Sequence, residues 1–346
     1  MRILGIDLGL RKSVACSYDT ATAEERIITI ATNPVELDRL VDRERPDQVV
    51  VEAGTPAGWV HDRCVSRGVR CRVASPTTDA WKWKAVKRKT DRDDARKLVE
   101  LAEREQLPEA HVPQPAVRQK RALLRTRHKL LAHRVAWQNH IRGTLLGQGL
   151  PVPLGHRAWS DIGLKGLAAQ SKPLSRCEVQ ELWRGELFEA LVTYRRLLRQ
   201  QRRLEKRLDA LNADDAAVRR LQTVPGVGPR TAEVVAAYLD EPRRFRRGDE
   251  VSAYAGLVPR QWQSGQTDRR GRISKRGPGL LRKVLVECGW GLLRYNRWGA
   301  TVVKRISRGQ KTRRKQAVVA VARKLLVRCW ALLRDGTEWR EPSAAT

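Results

Sequence analysis

The chain has six cysteines in 346 residues, and none stands in a C-x-x-C pair. Cys16, Cys64, Cys71, Cys177, Cys288 and Cys329 are scattered, which suggests neither a zinc site nor a disulfide framework. Cys64 and Cys71, seven apart, read as core thiols. No apolar run reaches the ~18 residues that a membrane span requires. The first residues enter a strand pattern at once, so no signal peptide is expected and a reducing cytoplasm fits. Acidic side chains are outnumbered: 38 Asp and Glu stand against 69 Lys and Arg, a net charge of +31 and a pI near 11.0. A small substrate does not call for that excess; a polyanion does. The imbalance is sharpest from Arg260 to Arg334, where 21 Lys and Arg face only Asp268 and Glu287. Basicity points to nucleic acid without separating DNA from RNA. With 41% hydrophobic residues the chain folds, and its length allows two or three domains.

Residues 1–106 read as an α/β domain. Strands are expected at Arg2–Asp7, Ser13–Tyr18, Arg26–Ala31, Gln48–Val51 and Val69–Ala74. Helices are expected at Pro34–Arg43 behind an Asn33 cap, at Pro56–Arg67 before Gly68, and from Thr90 to Glu105. Asp7 and Glu52 close two strands that can lie adjacent and parallel, where ligand sites of α/β sheets gather. Asp91 and Asp94 are spaced i, i+3 and share one face of the last helix. Four hard oxygen donors suit Mg²⁺, or Mn²⁺, and such ions clamp the oxygens of a phosphoryl transfer. Taken singly, each acid has a plainer use as a turn or helix-terminus residue. Asp93 falls on another face and reads as solvated.

Residues 107–215 read as a linker around Pro113 and Pro115 followed by long helices. Leu123, Leu130 and Trp137 recur every seven, as do Leu124, Leu131 and Leu145 with a gap at Gln138. Trp183, Ala190, Leu197, Leu204 and Leu211 do the same, with Leu187, Tyr194 and Leu208 at plus four and Gln201 as a polar exception. This is a heptad seam with Arg-rich flanks. It serves equally an internal antiparallel hairpin or a dimerisation coiled coil that also grips nucleic acid. The stretch 147–176 has no clear pattern. His128, His133 and His140 suit solvent or phosphate better than metal.

Residues 216–346 read as a mainly α-helical domain. Leu221–Ala232 carries a P-G-V-G turn between helices, like a helix-hairpin-helix, in which backbone N–H groups near Gly226 and Gly228 meet phosphate. A Gly-Pro connection between packed helices is the alternative. Helices are expected at Pro278–Arg294 and Lys315–Leu333, and the tail from Glu338 reads as frayed. Between those helices the run from Lys304 to Lys315, with Lys311, Arg313, Arg314 and Lys315, is a phosphate-backbone contact.

The stretch Val251–Lys283 stands apart. Ser264 lies in a Trp-Gln-Ser-Gly turn among Arg260, Arg269, Arg270, Arg272, Lys275, Arg276, Arg282 and Lys283, opposed by Asp268 alone. A hydroxyl on a glycine turn in a cationic field is where a phosphodiester can sit, either for attack or for binding by a basic loop. Trp262 can stack on a base or pin the loop. Ser274 reads as a structural or phosphate-contacting hydroxyl and Ser252 as an N-cap. No histidine lies between Val251 and Lys283 to act as a base.

Asp7, Glu52, Asp91 and Asp94, with the K-T-D-x-x-D-A string at Lys89–Ala95, resemble the DEDD set of RuvC-like, ribonuclease-H-fold nucleases. Together with Y-A-G-L-V-P at Tyr254–Pro259, Ser264-Gly265 and G-R-I-S-K-R-G at Gly271–Gly277, they resemble the DEDD transposases of the insertion sequence 110 family. The resemblance spans nearly the whole chain and is weakest over 147–215. It implies a RuvC-like domain over 1–106, a coiled-coil dimerisation region over 107–215 and a transposase domain over 216–346. It implies a bacterial, nucleoid-associated recombinase guided by a structured bridge RNA and acting on donor and target DNA as a dimer, or a dimer of dimers, with no membrane. Ser264 maps onto that family's nucleophile, the four acids onto its metal ligands, and a phosphoserine–DNA link onto its intermediate. The other reading is a metal-dependent RuvC-like nuclease that uses water, with Ser264 only a binding residue. A non-catalytic scaffold would gain little from clustered carboxylates.

Overall fold

The computed structural model describes residues 1–75, 90–264 and 267–340, with backbone alone at 262, 264, 267, 268 and 270. It divides into two compact units, 1–116 and 117–346.

The first unit is a five-stranded mixed sheet in the order β3-β2-β1-β4-β5, formed by β1 (Arg2–Asp7), β2 (Lys12–Asp19), β3 (Glu25–Ala31), β4 (Gln48–Glu52) and β5 (Arg70–Ala74). β1, β2 and β3 pair antiparallel, whereas β1, β4 and β5 run parallel. The two central strands, RILGID and QVVVE, are nearly continuous apolar runs because both of their faces are covered. On one face lie α1 (Pro34–Glu44) and α2 (Ala57–Ser66), packed on Leu4, Ile6, Val49 and Val51. On the other lies α3 (Asp91–Glu103), whose Ala95, Leu98, Val99 and Ala102 meet Ile3, Cys16 and Val50. Asn33 caps α1 as expected, accepting from Glu36 N–H at 3.0 Å. Behind α3 the chain returns along β5: Ala110 N–H donates to Val73 O, and Ser75 N–H to Pro108 O.

The second unit is helical. α4 (Pro115–Gly147) and α6 (Leu182–Asn212) flank α5 (Asp161–Gln170), a helix without a sequence signature that Ser160 caps. Within the chain the heptad seam packs α4 and α6 as an antiparallel hairpin. Arg127 pairs with Glu205 near one end and Thr144 bonds Glu186 near the other. Leu124 and Leu208 share one core; Ile141, Leu145, Leu187, Ala190 and Tyr194 share another. The polar interruptions of the repeat are cross-links: Gln138 donates to Tyr194 Oη at 3.0 Å, and Arg134 donates to Gln201 at 3.1 Å. Leu211, expected in the seam, is 42% exposed.

The remainder packs α7 (Ala216–Gln222), α8 (Pro229–Leu239), α9 (Gly248–Tyr254), α10 (Gly279–Tyr295), α11 (Arg297–Ser307) and α12 (Arg314–Asp335) around one core that includes Leu281, Leu285, Val318, Val321 and Leu325. Arg121 and Arg244 donate to the last carbonyls of α8, offsetting the negative end of its dipole. α11 shortens the expected basic loop, since Lys304 and Arg305 form its last turn. The tail is anchored through Trp339, whose N–H donates to Thr223 Oγ1 at 3.0 Å and whose ring meets Trp298 edge-on. Among the described residues no helix is long and apolar enough to cross a membrane.

Candidate active site

In the first unit, strand parity aims the acids. Successive side chains alternate between faces, and Ile3 lies on the α3 side while Leu4 and Ile6 lie on the other. Asp7 shares the parity of Ile3 and Gly5, and Glu52 that of Val50, so both belong to the α3 face. β1 and β4 are paired in parallel up to Ile6↔Val51, and each acid is the next residue. Both are half-buried. Gly5 is what brings α3 down: a Cβ there would stand 2.5 Å from Ala95 O and 2.8 Å from Val99 Cγ2. Asp94, 9% exposed, precedes Ala95 and sits at this contact, with the exposed Asp91 one turn earlier on the same face. Gly9 closes the turn after Asp7, where a Cβ would meet Lys12 O at 2.2 Å.

Asp93 is not merely solvated. It completes a capping box, accepting from Thr90 N–H at 3.2 Å and from Thr90 Oγ1 at 2.6 Å while its own N–H donates to Thr90 Oγ1. The threonine hydroxyl holds its carboxyl below the usual range. The cap thereby uses the middle acid of the three and leaves Asp91 and Asp94 to the α3 face. The carboxylates of Asp7, Glu52, Asp91 and Asp94 are hard oxygens, the kind of donor that Mg²⁺ or Mn²⁺ takes. Among the described residues, however, no three His, Cys, Asp or Glu side chains stand grouped as a metal cage.

In the second unit, Ser264 is not in an open loop. It ends β6 (Pro259–Ser264), which pairs antiparallel with β7 (Thr267–Ile273) in a two-stranded ribbon, Ser264 opposite Thr267. Lys89 and Gly265 lie outside the described residues, as do residues 341–346 and the side chains of Trp262, Ser264, Asp268 and Arg270. Arg260, Arg269, Arg272, Lys275 and Arg276 are exposed on or beside the ribbon.

Its base is a lock that sequence reasoning missed. Gly256 at φ +67° would place a Cβ 2.0 Å from Arg276 O, and Gly277 at φ +93° one 1.9 Å from Tyr254 O. Only glycine tolerates both the left-handed backbone and this approach. Lys275 N–H donates to Gly256 O at 3.1 Å and Ser274 N–H to Val258 O at 2.8 Å. Arg282 is a clamp and not a free cation, donating to Ala255 O at 3.0 Å and Gly277 O at 2.9 Å; burial pushes its pKa down. Lys283 reaches Glu287 on α10 at 3.8 Å. Ser252 is no N-cap: it is fully buried inside α9 and donates to Gly248 O at 2.8 Å. The Ser274 hydroxyl is buried at the ribbon's base. The signal for the lock was the pair of motif glycines, one on each side of the ribbon.

The P-G-V-G turn joins α7 to α8. Gly226 takes φ +78°, and Gly228 precedes Pro229, the first residue of α8. Lys311, Arg313, Arg314 and Lys315 are all exposed at the start of α12, and Arg314 leans over Trp290 at 5.6 Å. His140 pairs with Glu186 at 3.2 Å, and His128 lines a cavity of about 220 Å³ between α4, α8 and α10.

Comparison with known families matches residues 218–304 to the model described as transposase IS116/IS110/IS902 family, and residues 4–148 to a transposase model for the DEDD domain of IS110 elements. The chain is 34% identical over 256 residues to a probable family 20 transposase of Pseudomonas aeruginosa, covering 73% of this chain and 74% of the relative. It is 29% identical over 355 residues to the transposase for insertion sequence element IS1111A of Coxiella burnetii, covering 98% and 92%. A pilin gene-inverting protein of Moraxella lacunata is 32% identical over 118 residues, 33% of this chain and 36% of the relative.

Proposed function

The chain belongs to the IS116/IS110/IS902 family of transposases, and from that premise we propose that it cuts and rejoins DNA at an insertion sequence by serine attack on phosphate. DNA transposition follows from the family, and the mixed sheet with its acid-bearing strand ends accords with a ribonuclease-H-like first domain. The observation that carries the finer reading is the shared parity of Asp7 and Glu52 with the face on which α3 lays Asp94.

Asp7, Glu52, Asp91 and Asp94 would hold the divalent ion. When bound, it would supply charge stabilisation at a phosphoryl oxygen. Ser264 Oγ bonds to phosphorus, the P–O3′ bond breaks, and the serine proton passes to the departing 3′ oxygen. The products are a phosphoserine link and a free 3′-OH. Attack by the 3′-OH of another strand reverses the step and restores the serine, so bond energy is conserved through the exchange. Arg260, Arg269, Arg272 and Arg276 offset the charge that develops on phosphate. A relative named for inverting a gene favours rejoining over simple cleavage, since an inverted segment must be resealed at both ends.

DNA is held by the exposed Lys311, Arg313, Arg314 and Lys315 and by the backbone of the α7–α8 turn at Gly226 and Gly228. The proposal extends to a structured guide RNA that chooses the site by base pairing, for which the cationic excess leaves room, and to a homodimer or dimer of dimers. The test is cleavage of labelled donor DNA with Mg²⁺ and co-purified RNA, comparing wild type, Ser264→Ala and Asp91→Ala. A protease-sensitive protein–DNA adduct in wild type, reduced by on the order of 10³-fold or more in both variants, is the expected result. Free nicked DNA, with Ser264→Ala still cutting, would establish a nuclease that uses water.

A further inference from the structure

α6 presents two unlike faces. Tyr194, Leu197, Gln201 and Leu208 are buried on the side facing α4. Arg196, Arg199, Arg203, Lys206 and Arg207 are exposed. At helical spacing these five fall within an arc of roughly 100°, centred opposite the buried face. Three cations of α4 are engaged by other parts of the chain: Lys120 by Asp215 at 2.7 Å, Arg127 by Glu205 at 2.7 Å and Arg134 by Gln201 at 3.1 Å. The five on α6 have no ion pair or side-chain hydrogen bond among the described residues. Arg196, Arg199, Gln200 and Arg203 line a recess of about 370 Å³.

Such a row has a cost. Arg196 and Arg199, Arg199 and Arg203, and Arg203 and Arg207 are like charges at i, i+3 or i, i+4, which weakens a helix. Within residues 196–207 no carboxylate lies on the outer face; Glu205, the one acid there, turns inward to Arg127. A polyanion relieves all five at once. The row spans about 17 Å, over which a nucleic-acid duplex presents on the order of ten phosphates. An apolar partner would leave five charges desolvated and unpaired, which is prohibitive.

We infer that the outer face of α6 is a nucleic-acid backbone site, on a different element from the ribbon and the Lys311–Lys315 cluster. It reads charge and not sequence, since an arginine row aimed at phosphates carries no base information. The inference does not require serine chemistry, so a failure of one leaves the other standing.

The test measures binding of full-length protein to random-sequence DNA and RNA duplexes across a salt series. Arg199→Ala with Arg203→Ala is expected to lower the slope of log affinity against log salt by about two and to weaken binding roughly tenfold at moderate salt, on DNA, RNA or both. The arm that responds names the nucleic acid. The same variant, without nucleic acid, is expected to melt at a higher temperature, because repulsion along α6 is removed; a folding defect would move the midpoint down. Arg26→Ala with Arg39→Ala removes two cations that pair with Glu24 and Glu36, and should leave the slope unchanged. An unaltered slope on both duplexes for the α6 variant, or an equal fall for the control, would overturn the assignment.

Discussion

In residues 1–116 two of the candidate ligands, Asp7 and Glu52, end strands covered on both faces, and the other two, Asp91 and Asp94, open the helix that meets those strands in backbone contact. In residues 117–346 the candidate nucleophile ends a strand of a ribbon that, among the described residues, joins no other sheet and is fixed at its base by two glycines and an arginine. Metal-type acids act only when several converge, so their carriers must be rigid relative to one another, and an apolar core supplies that rigidity. A nucleophile needs only to reach phosphate, and a two-stranded ribbon, marginal by itself, suffices if its root is secure. The first unit therefore positions its candidate site through the core's periodicity, and the second through a local backbone lock.

This contrast can be broken by adding one methyl group to each unit. Gly5→Ala forces a Cβ against the Ala95 carbonyl and should destabilise the first unit by about 1–3 kcal/mol, seen as an earlier thermal transition for that unit with activity lost alongside. Gly277→Ala, clashing with Tyr254 O, should reduce the adduct yield by at least tenfold while leaving the melting temperature close to wild type, since the ribbon buries little. A fall in melting temperature as large as that of Gly5→Ala would refute the claim that the ribbon is separable from the core.

A smaller effect is expected at the cap of α3. Thr90→Ala removes the two bonds that the hydroxyl makes with Asp93 and should cost about 1 kcal/mol. Because the first turn carries Asp91 and Asp94, Mg²⁺ should be required at higher concentration, whereas Thr90→Ser should restore both properties. Ordinary Mg²⁺ dependence in Thr90→Ala would mean that the turn is held by its packing alone.

The smallest effect lies away from either site. Arg63, and then Arg67, hold the Asp38 carboxyl down to about 2. A depressed carboxylate contributes its stability above its unfolded pKa of about 3.9 and loses it as the pH falls through the folded value. Wild type should thus lose on the order of 1 kcal/mol relative to Asp38→Asn between about pH 4 and pH 2, measured by denaturant unfolding across that range. Equal pH profiles would show that the pair contributes nothing.

The order of strands and helices in the first unit could be read directly, because buried strands write apolar runs and surface helices write a 3.6 period. Asp7 and Glu52 stood out for the same reason, as carboxylates at the ends of such runs. The capping role of Asp93 is legible in T-D-R-D, although its place on another helical face points to solvent. The ribbon was not legible: both of its faces meet solvent, so Pro259–Ile273 shows no alternation to mark a strand.

The sequence alone marked the polyanion partner, the candidate acid quartet, Ser264 on its glycine turn and the long heptad helices, since composition and short-range period survive without coordinates. Tertiary structure decided the rest. It closed the seam within the chain, turned Arg282 from a field charge into a clamp, buried Ser252, and made Gly5, Gly256 and Gly277 the points where backbone meets backbone. A missing side chain leaves no periodic trace, so what a glycine makes room for becomes visible only when its neighbours, distant in sequence, are in place.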